Sequence, residues 1–231
     1  MEQNSALVFS EHWSIYQKVI LHNYMHHAEF AKKTAAVFVA LNKKAVPILD
    51  IGCGDAVTLT PLLQKISITS YTGYDLSSSA LELAAENLSK ENFAIVLKEG
   101  NMMELIVEEG KQFDLIHSSF AIHHLKDDEK KKLLKACFNR LLPGGKMIYI
   151  DVFREKEIGR DLYIKEYFSY IRNEWLLLTA NEKQPIYEHI NQYDFPSDFN
   201  ETINWIQSFG FIVTEKYQPD HRHALLVLDK K

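Results

Sequence analysis

The sequence predicts an α/β fold in three layers, with a mostly parallel sheet covered by helices on both faces. Three observations predict it. Short, nearly unbroken apolar runs recur between residues 48 and 152, with helical stretches between them, the pattern of buried parallel strands joined by crossover helices. The first run, Ile48-Leu49-Asp50-Ile51, closes in the tight turn Gly52-Cys53-Gly54. The rhythm then breaks at an aromatic segment, 153–197, before helix and strand signals resume.

Residues 11–42 carry Trp13, Tyr16, Ile20, Tyr24, Phe30, Ala36, Val37 and Leu41 at near three-to-four spacing, which predicts amphipathic helix. Pro47 is expected to end that region. Residues 48–51 read as a strand and 58–66 as a helix, with Pro61 in its first turn. A strand at 71–74 precedes a helix at 77–90 whose serine-rich start suits an N-cap. Strands follow at 94–99 and 113–118. The helix 127–142 starts acidic and has Arg140 near its end, complementing its macrodipole. Gly144-Gly145 breaks it, and 146–152 reads as a strand. A last helix at 198–209, closed by Gly210, leads to strands at 211–215 and 224–228. The expected organisation is one domain over 1–231: a helical cap (1–45), a cofactor-binding core (46–152), a helical lid insertion (153–197) and a closing helix and strands (198–231).

Bulk properties narrow the class. A chain of 231 residues, 46% hydrophobic and 25% charged, suits one soluble globular domain with a real core. No apolar run approaches the roughly 18–20 residues that cross a bilayer, so no membrane partner is expected. Met1-Glu2-Gln3-Asn4-Ser5 lacks the basic flank and apolar stretch of a signal peptide. Cys53 and Cys137 fall in segments that read as buried or ligand-lining, which favours a reduced, cytoplasmic setting over a disulfide scaffold. The formal charge of −5 argues against a nucleic-acid partner.

The glycine turn carries the first chemistry. Gly52 and Gly54 let a ligand approach the backbone with no Cβ in the way. Dinucleotide sites use such a turn too, but here the third glycine position of that pattern is Val57. Asp50, just before the turn, suits a cationic ligand better than a pyrophosphate. Asp75, closing the second strand, is placed to bind both hydroxyls of a ribose.

With the ordered set Leu49-Asp50-Ile51-Gly52-Cys53-Gly54, Gly73-Tyr74-Asp75-Leu76-Ser77, Gly100-Asn101-Met102, Phe113-Asp114-Leu115-Ile116, His123-His124-Leu125 and Leu142-Pro143-Gly144-Gly145-Lys146, the chain resembles the class I S-adenosylmethionine-dependent methyltransferases. The resemblance covers 46–152 and resumes at 198–228. It implies a Rossmann-like methyltransferase fold, with a seven-stranded sheet whose last strand is antiparallel, and S-adenosyl-L-methionine as cofactor. It also implies residue roles. Gly52, Cys53 and Gly54 pass the methionine portion and ribose, and Asp50 helps hold the ammonium end. Asp75 takes the ribose diol and Leu76 flanks the adenine. Asn101 and Met102 face the adenine edge, and the Ser118 carbonyl approaches the amino group. Asp55 and Ala56 stand where many relatives have glycine.

On the acceptor side the residues leave more open. Methyl transfer from a sulfonium is an in-line displacement with a good neutral leaving group, so alignment supplies much of the catalysis. A base is needed only where the acceptor must shed a proton. His123 and Asp151, after the fourth and fifth strands, are the candidate catalytic residues, set against a packed histidine and a solvated strand end. Tyr16 and Tyr24, eight positions apart on one expected helix face, are candidates to reach the cofactor or to pack on the sheet. His22 and His26 have the spacing of a zinc pair, but no completing ligands are evident, and no metal is expected. Tyr163, Tyr167, Tyr170, Arg172, Trp175, Tyr187 and His189 form either an aromatic lid over a small acceptor or a core or dimer contact of the insertion's own. A homodimer is compatible with the latter. The charge run 126–135 reads as a solvated helix face.

The leading expectation is a methyltransferase for a small molecule. A tRNA or protein methyltransferase would call for a clustered basic surface or an appended domain. Ser118-Ser119-Phe120 stands where amino-group nucleic-acid methylases carry Asn/Asp-Pro-Pro-aromatic. A regulatory protein that binds S-adenosylmethionine without catalysis is the reading from another class. An NAD-dependent oxidoreductase is disfavoured by Val57.

Overall fold

Asp50 and His117 face each other across two parallel strands deep in the sheet, and this pairing sets the register of the domain's centre. In this computed structural model, which describes residues 13–41, 45–107 and 110–231, strand β1 (Val46–Ile51) lies between β2 (Ile68–Asp75) and β4 (Phe113–Ser119). β3 (Ala94–Glu99) pairs with β2, and β5 (Leu141–Arg154) with β4, all parallel. β6 is a two-residue strand, Ser197–Asp198, beside the end of β5. β8 (His223–Asp229) inserts antiparallel between β5 and β7 (Ile212–Tyr217). The order across the sheet is β3-β2-β1-β4-β5-β8-β7, which is the mostly parallel architecture expected from sequence, with the last strand reversed. It reverses direction between β1 and β4, and open α/β sheets bind ligands at the carboxyl ends of the strands that flank such a switch point.

Alternate residues of the buried strands feed two cores. Ile48, Tyr71, Leu115, Ile148 and Ile150 face Phe30, Val37 and Phe38 of α2 (His27–Leu41) and Leu81, Ala84 and Leu88 of α4 (Ser78–Leu88). Leu49, Tyr74, Ile116, Met147 and Tyr149 face Leu133, Leu134 and Cys137 of α6 (Asp127–Arg140) and Ile203 and Ile206 of α9 (Phe199–Ser208). Burial of each such side chain is worth about 1.5–3 kcal/mol, so a one-residue slip of a strand would exchange its two apolar sets. α4 opens as its sequence predicts, with the Ser77 hydroxyl accepting the Ala80 amide at 3.2 Å.

Several expectations need correction. The stretch 11–42 is two helices, α1 (13–21) and α2, broken by a turn in which Asn23 and His26 take left-handed φ values of 55° and 59°. Asparagine tolerates that conformation better than most residues, and Asn23 Oδ1 accepts the Ala28 amide at 2.8 Å at the start of α2. Apolar spacing runs through the break because both helices bury one face. Pro47 sits inside β1, at a register irregularity, rather than closing a helix. The helix expected at 58–66 shortens to α3 (Thr60–Leu63). A short helix, α5 (Met102–Leu105), forms behind an Asn101 cap. Lys130, expected on a solvated face, is 1% exposed. Its ammonium binds the Phe195 carbonyl and, at 2.6 Å, the Ser197 hydroxyl, so it ties α6 to the irregular chain entering β6.

The segment inserted after β5 holds α7 (Arg160–Glu174) and α8 (Ala180–Tyr193). Thr179 and Glu182 form a reciprocal cap at the start of α8. Tyr163, Ile164, Tyr167, Ile171, Trp175 and Ile190 pack in one cluster with Val19, Tyr24 and Met25 from the N-terminal helices. A Lys18–Glu182 ion pair joins α1 to α8 at the surface. Among the described residues, no helix is long and apolar enough to cross a membrane.

Candidate active site

The turn at 52–54 lies at the switch point. Gly52 and Gly54 have φ values of 68° and 53°, a region that disfavours side chains. The Gly52 and Cys53 amides donate to the Tyr74 carbonyl at 2.8 and 3.0 Å, fastening the turn to the end of β2. A Cβ on Gly52 would come within 2.2 Å of the Ala121 Cβ, just past the end of β4. A Cβ on Gly54 would meet Trp13 of α1 at 3.2 Å. The start of the first helix therefore packs against the turn.

Asp75 is the best-placed polar group. Its two oxygens accept the Gly54 and Ser77 amides at 2.8 and 2.9 Å. A carboxylate offers about four acceptor sites, so capacity for a diol is retained at the edge of the turn. Burial raises its pKa, opposed by the hydrogen bonds from Ser77 and Gly54. Tyr16 is half-buried; burial and the fields of Asp55, Asp75 and Asp151 push its phenol upward. Its ring lies 5.6 Å from Trp13 and 6.3 Å from His27.

Other expected residues have different employment. Asp50 is 3% exposed, and its oxygens contact the Tyr71 hydroxyl and His117 Nδ1, each at 2.7 Å. That corrects its expected role at the ammonium end: the carboxylate is held inside the protein and braces β1 against β2 and β4. The Cys53 thiol points inward, where a Cβ on Gly73 would lie 2.8 Å from its sulfur, so only the backbone of Cys53 serves the turn. Burial, first of all, raises its pKa well above the ordinary thiol value. Tyr24 does not reach over the turn. Its ring stacks on Trp175 and its hydroxyl accepts the Leu177 amide at 2.8 Å. Asn101 Oδ1 caps α5 by accepting the Met103 amide at 2.8 Å, and Met102 packs partly against the core. The Ser118 hydroxyl donates to the Ile51 carbonyl at 2.9 Å across β1 and β4. Leu76 is half-buried just after β2.

His123 and Asp151 do meet. His123 Nδ1 and Asp151 Oδ1 are 2.5 Å apart, and the same oxygen accepts the Val152 amide at 2.9 Å. The other ring nitrogen lies 3.5 Å from Asp194 Oδ1. Burial disfavours charge on this ring, but Asp151 and Asp194 outweigh it and push His123 up to about 10. Both ring nitrogens of His123 thus face carboxylates, Asp151 on one side and Asp194 on the other. Asp194 went unnoticed in the sequence; its signal was an acidic residue five positions after His189, ahead of Phe195-Pro196. His22 and His26 both lie in the turn between α1 and α2, and His26 Nε2 meets Asp220 at 3.2 Å. Asp220 binds His223 Nδ1 at 2.9 Å, and His223 Nε2 meets the Tyr167 hydroxyl at 3.1 Å. That chain of contacts joins the N-terminal turn, β8 and the inserted helices.

A glycine turn at the switch point, a carboxylate closing β2 and a helix laid over the turn give the chain the three-layer α/β fold of the class I methyltransferases. Residues 48–145 match the sequence model of a family described as a methyltransferase domain. Over this stretch, under half of its length, the chain is similar to the class I S-adenosylmethionine-dependent methyltransferases. It is 27% identical over 220 residues to a phosphoethanolamine N-methyltransferase of Plasmodium falciparum, covering 93% of this chain and 77% of that one. It is 28% identical over 104 residues to a malonyl-[acyl-carrier protein] O-methyltransferase of Priestia megaterium, a match spanning 45% of this chain and only 36% of that relative. In fold it resembles an S-adenosylmethionine-dependent methyltransferase from Clostridium acetobutylicum, with a TM-score of 0.66 at 13% identity over 96% of this chain and 98% of the other.

Proposed function

We propose that this protein transfers the sulfonium methyl of S-adenosylmethionine to a small-molecule acceptor held beneath a lid formed by residues 153–197 and the N-terminal helices. One observation carries the reading. The inserted helices share a single apolar cluster with α1 and the turn after it, with Val19 and Tyr24 packed among Tyr163, Tyr167 and Trp175. A roof built from both segments, adjoining the carboxyl ends of β4 and β5, suits an acceptor small enough to be enclosed and kept from water. The likeness to a phosphoethanolamine N-methyltransferase runs through the insertion as well as the core, which supports a small acceptor.

The residues present fit the cofactor. The missing Cβ atoms at Gly52 and Gly54 leave the turn open to close approach. Asp75 keeps acceptor capacity for a ribose diol. His27, at the edge of this region, has neither ring nitrogen hydrogen-bonded among the described residues although both are buried. When bound, S-adenosylmethionine supplies an electrophilic methyl group. The protein supplies orientation: Asp75 and the turn hold the nucleoside end, Trp13 and Tyr16 cover it, and the lid excludes water. Asp151 faces the acceptor end, with His123 as the residue that positions it. Alignment of this kind replaces a dedicated base for acceptors that need none.

An acceptor screen scored by S-adenosylhomocysteine formation tests the proposal, with small amines, phosphobases, phenols and carboxylic acids as arms and Asp75→Asn as control. Turnover of at least one small acceptor, abolished in the control, is the expected result. Binding of S-adenosylmethionine with no turnover of any arm, but methylation of bulk tRNA or protein, would overturn the small-acceptor reading.

A further inference from the structure

Four side chains converge where the turn after β4 meets the end of α8. His123 and His124 come from a single helical turn, Ile122–His124. His189 and Asp194 come from the last part of α8 and its cap. Asp194 Oδ1 lies 3.5 Å from His123 Nε2, 3.5 Å from His124 Nδ1 and 3.7 Å from His189 Nε2. Asp194 is only 4% exposed, and among the described residues Oδ1 accepts no hydrogen bond.

These separations are long for hydrogen bonds, whose N···O distances cluster near ~2.9 Å. They suit a different geometry. Ligands held ~2.1 Å from a tetrahedral metal ion lie roughly 3.4 Å from one another. The ligating atoms of His123, His124 and Asp194 all fall within 4.8 Å of one another. The geometry points to a divalent transition-metal site formed by His123, His124 and Asp194, with His189 packed beside it.

The donor set names the class of ion. Two imidazoles and one carboxylate suit zinc, cobalt or nickel, whereas magnesium and calcium take oxygen ligands. The surroundings are those of a ligating histidine. His123 Nδ1 is bound to Asp151, a carboxylate behind the ring that fixes its tautomer and aims Nε2 at the ion. The backbone is braced at the same place. The Phe195 amide donates to the His123 carbonyl at 2.8 Å, and Arg160 Nε donates to the Asp194 carbonyl at 2.7 Å. His124 Nδ1 also lies 3.3 Å from the Tyr193 carbonyl, a contact that metal binding exchanges for ligation. Three protein ligands from two separate segments would clasp the end of α8 to the turn after β4.

The test uses the intact wild-type chain and cobalt(II) or zinc alone as probe. Chelator-treated protein is titrated with cobalt(II), the visible ligand-field absorption of tetrahedral cobalt is followed, and zinc is added to displace it. One equivalent of tetrahedral cobalt, displaced by zinc, is expected. Asp194→Asn and His124→Gln each weaken uptake at least tenfold. His26→Gln, at the separate His26–Asp220–His223 group, leaves it unchanged. Should a variant fail to fold, elemental analysis of metal-supplemented wild-type protein after gel filtration gives the same decision. Failure of the wild type to take up metal overturns the proposal. So does uptake that survives in folded Asp194→Asn and His124→Gln, or that is lost only in His26→Gln. None of these readouts depends on methyl transfer.

Discussion

The phenol of Tyr24 lies flat on the indole of Trp175, with ring centroids 5.0 Å apart and planes 8° from parallel. One ring belongs to the turn after the first helix and the other to the segment inserted after β5. The Tyr24 hydroxyl also accepts the Leu177 amide. Replacing Tyr24 with leucine removes the stack and the hydrogen bond, at a combined cost of about 1–3 kcal/mol. The expected outcome is a lower urea midpoint and faster protease nicking within 153–197, while titrated cofactor affinity falls by less than the Asp75 variant's.

Asp75→Asn tests the nucleoside end. The amide keeps an acceptor oxygen for only one of the Gly54 and Ser77 amides, turns an NH2 donor toward the other and loses the charge that strengthens bonds to a diol. Calorimetric titration should show S-adenosylmethionine binding weakened at least about tenfold, with a modest fall in melting temperature.

Gly52→Ala tests the approach of the turn to β4. The new methyl meets the Ala121 Cβ at 2.2 Å on a backbone with a φ of 68°. Strain and overlap together cost about 2 kcal/mol or more. Ala121→Gly in the same chain removes the overlap but not the strain. The double variant should therefore recover part of the lost stability, and a strictly additive pair would refute the direct contact.

His27 makes a prediction in pH. Burial of its ring, reinforced by His223 and His26 and opposed by Glu29, lowers its pKa from 6.5 to about 4. The folded state therefore refuses a proton that the unfolded state takes. Its share of stability is present above pH 6.5 and is lost as pH falls toward 4, up to about 3 kcal/mol. Urea midpoints at pH 7.5 and pH 4.5 should differ less for His27→Leu than for the parent chain.

The sheet was legible because its signals are local. Ile48–Ile51 followed by Gly52-Cys53-Gly54 announces a buried strand and a turn without knowledge of any partner. Asp75 was legible for the same reason, since the end of β2 and the serine that follows fix its place. What stayed hidden depends on contacts between distant segments. Asp50 looks like a ligand group until His117, 67 positions later, is seen to contact it from β4. Lys130 reads as solvated until the chain at 195–197 closes over it. The break at Asn23 escaped because apolar spacing carries straight through it, whereas the left-handed φ that ends the helix leaves only one residue type as a clue. His123 drew notice for its position, yet its second carboxylate partner comes from the far end of α8.

Strand β8 has a further consequence, for the order in which the domain can assemble. It occupies an interior place between β5 and β7, both made earlier in the chain. Until residues 223–229 are available, the β5 edge from Lys146 to Val152 has no partner on that side, and β7 has no strand to join. An unpaired apolar edge invites pairing with other chains. The growing polypeptide thus carries its greatest aggregation hazard late in synthesis, when most of the sheet is already formed, and a chain interrupted before His223 would be a poor substrate for folding and a good one for chaperones.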